Sequence, residues 1–335
     1  MTRFIVHVGP HKTGTTYIQQ TLAALHDTLL GRGIYVPSVW DAAPGLPSHM
    51  KLAWAIRNRD VALVQRQIHE MLGQRYQTVV ISCEALSRLD PEQVVQLRQL
   101  LGIAPVEVVY YVRRSPERLP SLWQETVKHG HTMTFSEFLD RELRRNDTFA
   151  SWDTAVLDGF STVFGQNNVK VVAYSYLVDS NIDIAGHFLT AFLDLHDIDR
   201  PDVGRPNESM PPWDIELVRA LNAIHARRGG ETSAALRDWF LAHKDGLVSE
   251  SVPDIMRANM GTIRLNERKP PLVLPSQHVL AQYGDSLIPP WNEDTLHGLR
   301  VIDVPFVRPD YLLEPAAAKV LLDIYQAYPG RVPST

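Results

Sequence analysis

Short apolar runs and longer helical stripes alternate along the first two-thirds of the chain. Residues 4–8 form a β-branched run long enough for a buried strand, and Gly9 and Pro10 end it. Beyond this turn, apolar residues recur at the three- and four-residue spacing of one helix face: Ile18, Leu22, Leu25 and Leu29. The pattern therefore predicts a strand, a glycine-containing turn and a helix in succession.

The same alternation continues further along the chain. Apolar runs predict strands at residues 78–82, 106–112 and 169–174, and a short extended piece at residues 33–37. Between and after them, periodic stripes predict helices at residues 49–59, 60–74, 91–101, 135–143, 152–164, 184–193 and 213–227. Because continuous apolar strands are typical of sheets covered on both faces, we expect an α/β fold. It should have three layers, with helices flanking a parallel sheet of four or five strands.

The pattern weakens in the last third of the chain. Residues 199–212 are rich in proline and predict a boundary or a wrapping loop. After residue 229, prolines interrupt a tail without a strong period, and residues 316–325 predict one last helix. We therefore predict a core at residues 1–228 and a helical and irregular C-terminal extension at residues 229–335, packed on the core as part of the same domain.

Composition narrows the function classes. With 44% hydrophobic and 21% charged residues, the chain is typical of a globular protein. Its net charge of −5 argues against nucleic-acid binding through a basic face. The single cysteine, Cys83, cannot form an internal disulfide and suits a reducing compartment. The sequence shows no apolar stretch of the roughly 20 residues that a membrane span needs and no signal-peptide pattern, so we expect a cytoplasmic protein without a membrane partner.

The turn at residues 9–16, Gly-Pro-His-Lys-Thr-Gly-Thr-Thr, predicts a phosphate site. A turn that opens a helix presents free backbone N–H groups and the positive end of the helix dipole, and Lys12 adds a full charge. The alternative is an ordinary tight turn. In a Walker A loop the lysine follows the second glycine, whereas Lys12 comes two residues before Gly14. This order argues against a P-loop nucleotide-dependent kinase.

A second motif follows the strand at residues 106–112. Arg113 stands at its end, and Ser115 and Pro116 are favourable residues for starting a helix. Ser121 lies eight residues after Arg113, in the second turn of that helix, and can point its hydroxyl back toward the strand end. An arginine offers a bidentate fork to a phosphate. Because parallel strands end at one edge of a sheet, the two motifs should face the same crevice.

Both motifs resemble those of the PAPS-dependent sulfotransferase family, in its bacterial form, whose P-loop-like fold carries a loop of the type P-K-[TS]-G-[TS]-[TS]. The resemblance covers roughly residues 3–225, including Asn207-Glu208-Ser209 before the helix at residues 213–227. It implies 3′-phosphoadenosine 5′-phosphosulfate (PAPS) as donor and 3′,5′-ADP as product. The residues it implies for the 5′ end of the donor are His11, Lys12, Thr13, Gly14, Thr15 and Thr16. It implies Arg113 and Ser121 for the 3′-phosphate, and His11 either contacts the sulfate or anchors the loop.

The implied reaction is in-line transfer of a sulfuryl group to a hydroxyl of a carbohydrate or other small molecule. Lys12 would neutralise the leaving phosphate, and a base would take the hydroxyl proton. Glu84 follows the strand at residues 78–82 and so emerges at the same sheet edge; we predict it as the base, with His49 as the alternative. The chemistry does not demand a metal, and the sequence shows no metal-ligand cluster. A nucleotide-dependent kinase and a non-catalytic nucleotide-binding protein remain the alternatives, and the oligomeric state stays open.

Overall fold

A computed structural model describes residues 1–74, 76–144, 149–204, 210–231, 234–248, 251–266, 278–279, 281–283, 287–288 and 301–332. The chain divides into two compact units. The first comprises residues Met1–Arg114, Phe149–Asn207 and Val273–Gly298, and the second comprises Ser115–Thr148, Glu208–Leu272 and Leu299–Thr335. Each unit takes residues from both sides of position 228. The predicted division into residues 1–228 and 229–335 was based on the weakening of the sequence pattern, and it stays a prediction.

The first unit contains a five-stranded sheet in which every neighbouring pair of strands is parallel. Its strands are β1 (Arg3–His7), β2 (Ile34–Tyr35), β3 (Thr78–Ser82), β4 (Val106–Val112) and β5 (Val169–Ala173). The prediction of a parallel sheet with four or five strands is confirmed. Residues Val79, Val80 and Ile81 are completely buried, because helices cover both faces of the sheet.

Helices form a layer on each face of this sheet. On one face lie α3 (Met50–Arg57), α4 (Ala62–Gly73), α5 (Pro91–Leu101) and α8 (Phe149–Phe164); on the other lie α1 (Thr15–Ala24), α2 (His26–Gly31), α9 (Tyr174–Asp179) and α10 (Ile184–Leu193). Successive side chains of β1 point to opposite faces, so Phe4 packs in the first core and Ile5 in the second. The predicted three-layer α/β architecture is confirmed.

The order of the strands locates the site. Across the sheet the order is β2-β3-β1-β4-β5, so the chain goes from β1 to β2 at one edge, comes back to β3, and then crosses to the other side of β1 with β4. The connections after β1 and β4 therefore run in opposite directions. In open α/β sheets, ligands bind in the crevice at the carboxyl ends of strands where this reversal occurs. That edge carries the loop at residues 9–14 and Arg113.

The second unit is mainly helical. Its helices are α6 (Ser115–Lys128), α7 (Phe135–Arg144), α11 (Pro212–Arg227), α12 (Ala235–Leu247), α13 (Ser251–Ala258) and α14 (Pro315–Ala327). It also contains an antiparallel pair, β6 (Met260–Asn266) with β7 (Val301–Val307). For the C-terminal extension the sequence predicted one helix, at residues 316–325, in an otherwise helical and irregular segment. The helices α12 and α13 and this strand pair were not predicted individually. The segment Asn207-Glu208-Ser209 lies outside the described residues.

Candidate functional site

The loop between β1 and α1 lies at the carboxyl end of the central strand. Two of its residues have left-handed backbone conformations, Lys12 with a φ of 72° and Gly14 with a φ of 77°. The Thr13 hydroxyl donates to the Pro10 carbonyl over 2.8 Å, so this hydroxyl is used inside the loop. A Cβ at Gly14 would be strained by the positive φ and would come within 3.3 Å of the Ile184 side chain. The turn therefore requires glycine at this position.

The N-terminus of α1 is arranged to receive an anion. Gly14 is its N-cap, and among the described residues no side chain caps the helix and no acidic residue stands in its first turn. The first N–H groups of a helix lack partners within the helix. In the part of the chain that the structure describes, the buried Thr15 hydroxyl also has no hydrogen-bond partner. Thr16 follows it, partly exposed. These groups can together hold a phosphate or sulfate oxygen.

Arg113 connects the two predicted phosphate motifs. One guanidinium nitrogen, Nη1, donates to the Lys12 carbonyl over 2.7 Å. The guanidinium carbon lies 5.3 Å from the ring centre of Tyr174, which places a cation beside an aromatic face. A non-glycine residue in a left-handed conformation costs about 1–3 kcal/mol, and the hydrogen bond to Arg113 helps to offset this cost at Lys12. The end of β4 thus fixes the loop that follows β1.

Glu84 and His11 meet at this same edge. The Glu84 carboxylate oxygen Oε2 lies 3.0 Å from His11 Nδ1, and about a quarter of each side chain is exposed (26% for His11 and 23% for Glu84). The other ring nitrogen of His11, Nε2, lies 2.9 Å from a guanidinium nitrogen of Arg88. Glu84 and Arg88 are the two ends of one short 3₁₀ segment, Glu84–Arg88, that follows β3. The predicted base is therefore in direct contact with the predicted phosphate loop.

His49 has a different environment. Its side chain is 1% exposed, and its Nδ1 accepts a hydrogen bond from the Ser82 backbone N–H over 3.0 Å. Its other nitrogen, Nε2, lies 4.0 Å from an Asp41 carboxylate oxygen. Burial lowers the pKa of His49 to about 3 and raises the pKa of Asp41 to about 6. His49 is therefore neutral near pH 7, with one ring nitrogen committed to the backbone.

A buried polar network not identified from the sequence supports the end of β1. His7 Nδ1 lies 2.9 Å from the Ser82 hydroxyl, and Gln19 of α1 donates to the Ser82 carbonyl over 3.2 Å. Burial lowers the pKa of His7 to about 3, so this ring is neutral at physiological pH. The network joins β1, β3 and α1 directly behind the loop. A histidine within an apolar strand was the only sequence signal for it.

Ser121 lies in α6, in the second unit, whereas Arg113 is the penultimate residue of the first segment of the first unit. The role of Ser121 at the 3′-phosphate stays a prediction. Arg88 and Tyr174, by contrast, were not identified from the sequence although both contact predicted site residues.

Within the described residues, no group of histidine, cysteine and acidic side chains is arranged to hold a metal ion, and no helix is long and apolar enough to cross a membrane.

Known proteins show a structural likeness to this chain but no family or sequence match. No protein-family model matches the chain, and no curated protein matches it. Among the solved structures, a sulfotransferase from Alicyclobacillus acidocaldarius matches with 20% sequence identity and a TM-score of 0.38. The match covers 67% of this chain and 92% of that chain. At this identity and TM-score the match assigns no function to the chain.

Proposed function

We propose that this protein is a sulfotransferase that moves the sulfuryl group of PAPS to a hydroxyl of a carbohydrate or other small molecule. The observation that carries the proposal is the loop after β1. It leads into a helix N-terminus that no described side chain caps, beside a buried Thr15 hydroxyl for which the described residues offer no partner. Lys12 precedes Gly14 in this loop, which is the order of a phosphosulfate loop and not of a Walker A loop.

The donor would bind with its 5′-phosphosulfate on this loop. The N–H groups at residues 13–16 and the hydroxyls of Thr15 and Thr16 would hold the phosphate oxygens, and Lys12 would neutralise the charge that develops on the leaving phosphate. Thr13 would contribute its backbone only, because its hydroxyl is bound to Pro10. Arg113 stands at the end of the neighbouring strand, where it could pair with the 3′-phosphate while keeping its bond to the loop.

The chemical step needs one proton acceptor. The acceptor hydroxyl oxygen would form a bond to sulfur as the bond from sulfur to the 5′-phosphate oxygen breaks, and the electron pair of the broken bond would stay on that oxygen. The hydroxyl proton would pass to the Glu84 carboxylate. Glu84 is partly exposed and contacts the loop through His11, whereas His49 is almost fully buried and bound to the backbone. These surroundings favour Glu84 as the base.

Two alternatives lead to different results. A nucleotide-dependent kinase would use ATP and Mg²⁺ and would transfer phosphate. A non-catalytic nucleotide-binding protein would bind 3′,5′-ADP and show no transfer. The lysine order argues against the kinase, and the position of Glu84 beside the loop argues against a site without a base.

The test is transfer of ³⁵S from labelled PAPS to a defined panel of N-acetylglucosamine, glucose and 4-nitrophenol, followed by chromatography. We expect a labelled product with at least one acceptor, and we expect Lys12→Ala to abolish most of it. Lys319→Ala, an exposed lysine of α14, is the matched control and should retain wild-type transfer. Phosphate transfer from ATP in place of sulfuryl transfer, or binding without any transfer, would contradict the proposal.

A further inference from the structure

The contacts of the His11 ring determine where its proton lies. A guanidinium group has five N–H donors and accepts no hydrogen bond. His11 Nε2, which lies 2.9 Å from Arg88, must therefore accept, and the proton of a neutral ring must be on Nδ1. Nδ1 is the nitrogen that lies 3.0 Å from the Glu84 carboxylate. The direction of donation thus runs from Arg88 to His11 and from His11 to Glu84.

We propose that His11 and Arg88 are positioning residues for Glu84, which hold its carboxylate toward the crevice in the geometry that proton abstraction needs. This inference rests on the proposed function, because it assigns the task of base to Glu84. It differs from the role that the resemblance implies for His11, which is a contact with the donor or an anchor of the loop. Arg88 has no role in that resemblance.

The arrangement couples the base to the donor site. His11 is the residue before Lys12, so the ring that orients Glu84 belongs to the same loop that would hold the phosphosulfate. One Glu84 oxygen accepts from His11, which leaves lone pairs on the carboxylate for the acceptor hydroxyl. When the loop binds the donor, His11 would therefore also hold the Glu84 carboxylate in position. Loss of such positioning lowers turnover and leaves donor affinity nearly unchanged.

Several charged groups surround the pair formed by Glu84 and His11. Arg88 faces His11 from the segment after β3, Lys12 follows His11 in the loop, and Arg113 from the end of β4 binds the Lys12 carbonyl. Cys83 precedes Glu84, and burial raises the pKa of its thiol to about 11, so this thiol is neutral.

The first test is nitrogen NMR of the protein with ¹⁵N-labelled histidine, with the His11 signals assigned from their loss in His11→Asn. We expect the neutral form of the ring to carry its proton on Nδ1. In Arg88→Met the Nε2 signal should shift, because this nitrogen loses the hydrogen bond from the guanidinium group. A neutral ring protonated on Nε2, or an Nε2 signal in Arg88→Met identical to that of the wild type, would overturn the proposal.

The second test separates positioning from donor binding. We expect His11→Phe to lower kcat with N-acetylglucosamine by about 10- to 100-fold at saturating PAPS, with the Kd for 3′,5′-ADP changed by less than about 3-fold. His11→Asn, which keeps a donor near Nδ1, should recover part of the lost turnover. His129→Asn changes an exposed histidine that pairs with Glu125 and serves as the matched control.

The outcomes distinguish failure of the positioning role from failure of the proposed function. A fall in 3′,5′-ADP affinity with normal kcat would make His11 a donor contact and overturn its positioning role. A wild-type protein that neither binds 3′,5′-ADP nor transfers sulfate would refute the proposed function, whatever the state of the His11 ring. The NMR readout requires no turnover, so it tests the Arg88–His11–Glu84 contact independently of any transfer.

Discussion

Lys12 and Glu84 stand at one sheet edge but have different neighbours. Lys12 lies in the loop, with a left-handed backbone and its carbonyl bound to Arg113. Glu84 lies in the segment after β3, and its carboxylate contacts His11. If Lys12 stabilises the leaving phosphate and Glu84 accepts the acceptor proton, substitutions at the two positions should act on different kinetic quantities.

For Glu84→Gln we expect turnover to fall by about 10²- to 10⁴-fold, because general-base catalysis typically contributes that much. The Kd for 3′,5′-ADP should stay close to that of the wild type. Initial rates measure the turnover and calorimetry measures the Kd. Glu92→Gln is the matched control, since Glu92 forms an exposed pair with Arg59. Near-normal turnover of Glu84→Gln would place the base elsewhere, and His49→Ala would be the next variant.

The sequence is most informative about side chains that follow strands. Arg113 and Glu84 were predicted at one edge because parallel strands end together, and the structure places both there. Arg88 and Tyr174 were not predicted. Their contacts depend on how a 3₁₀ segment and the start of α9 fold back over the loop, and no periodicity carries that information.

The junction between the loop and α1 depends on one backbone conformation. We expect Gly14→Ala to lower the free energy of unfolding by about 1 kcal/mol or more, because alanine is strained at a φ of 77° and Ile184 is already close. Gly73→Ala, at the end of α4, is the control: apart from its chain neighbours and the backbone of its own helix, no described atom lies within 4 Å of a Cβ there. This control should be neutral or stabilising. Urea unfolding measures both, and equal stability of the two variants would contradict the role given to Gly14.

Elements with a strong pattern were predicted, and elements with a weak one were not. The strands β1, β3, β4 and β5 are buried on both faces, so their sequences are continuous apolar runs. In β6 only Leu265 is buried, and β7 contains Pro305. These two strands also lie far apart along the chain, which removes the short-turn signal of a hairpin. Their pairing could not be predicted from local periodicity.

At the scale of the molecule, two buried histidines link stability to pH. Burial lowers the pKa of His7 and of His49 from 6.5 to about 3. A lowered pKa means that the unfolded chain binds a proton at each of these histidines more readily than the folded protein does. Their contribution to the free energy of unfolding is therefore fully present above about pH 6.5 and is lost as the pH decreases toward 3. At pH 5 each histidine should lower the free energy of unfolding by about 2 kcal/mol relative to pH 8.

The measurement is urea unfolding between pH 5 and 8 for the wild type, His49→Asn and His129→Asn. We expect the free energy of unfolding of His49→Asn to depend less steeply on pH than that of the wild type. The difference in slope should correspond to at most one bound proton, whatever the absolute stability of the variant. His129 is exposed, so its replacement should leave the dependence unchanged. The same slope for all three proteins would show that His49 does not contribute.

The grouping of the chain into two units was beyond sequence-based prediction. Each unit is assembled from three separate segments, and α6 follows β4 directly yet belongs to the second unit. Composition and periodicity report on neighbours along the chain, so they revealed the weakening of the pattern near residue 229 and not this grouping. The five parallel strands and their flanking helices were predictable because they follow one another in sequence.

The most direct test of the account is calorimetric binding of 3′,5′-ADP, with 5′-AMP as the comparison. A lost charge-assisted phosphate pair typically costs about 2–5 kcal/mol, so 5′-AMP should bind at least about 30-fold more weakly. Lys12→Ala should weaken 3′,5′-ADP binding, and Lys319→Ala should leave it unchanged. Equal affinities for the two nucleotides, or no binding of 3′,5′-ADP by the wild-type protein, would contradict the assignment of this sheet edge as a PAPS site.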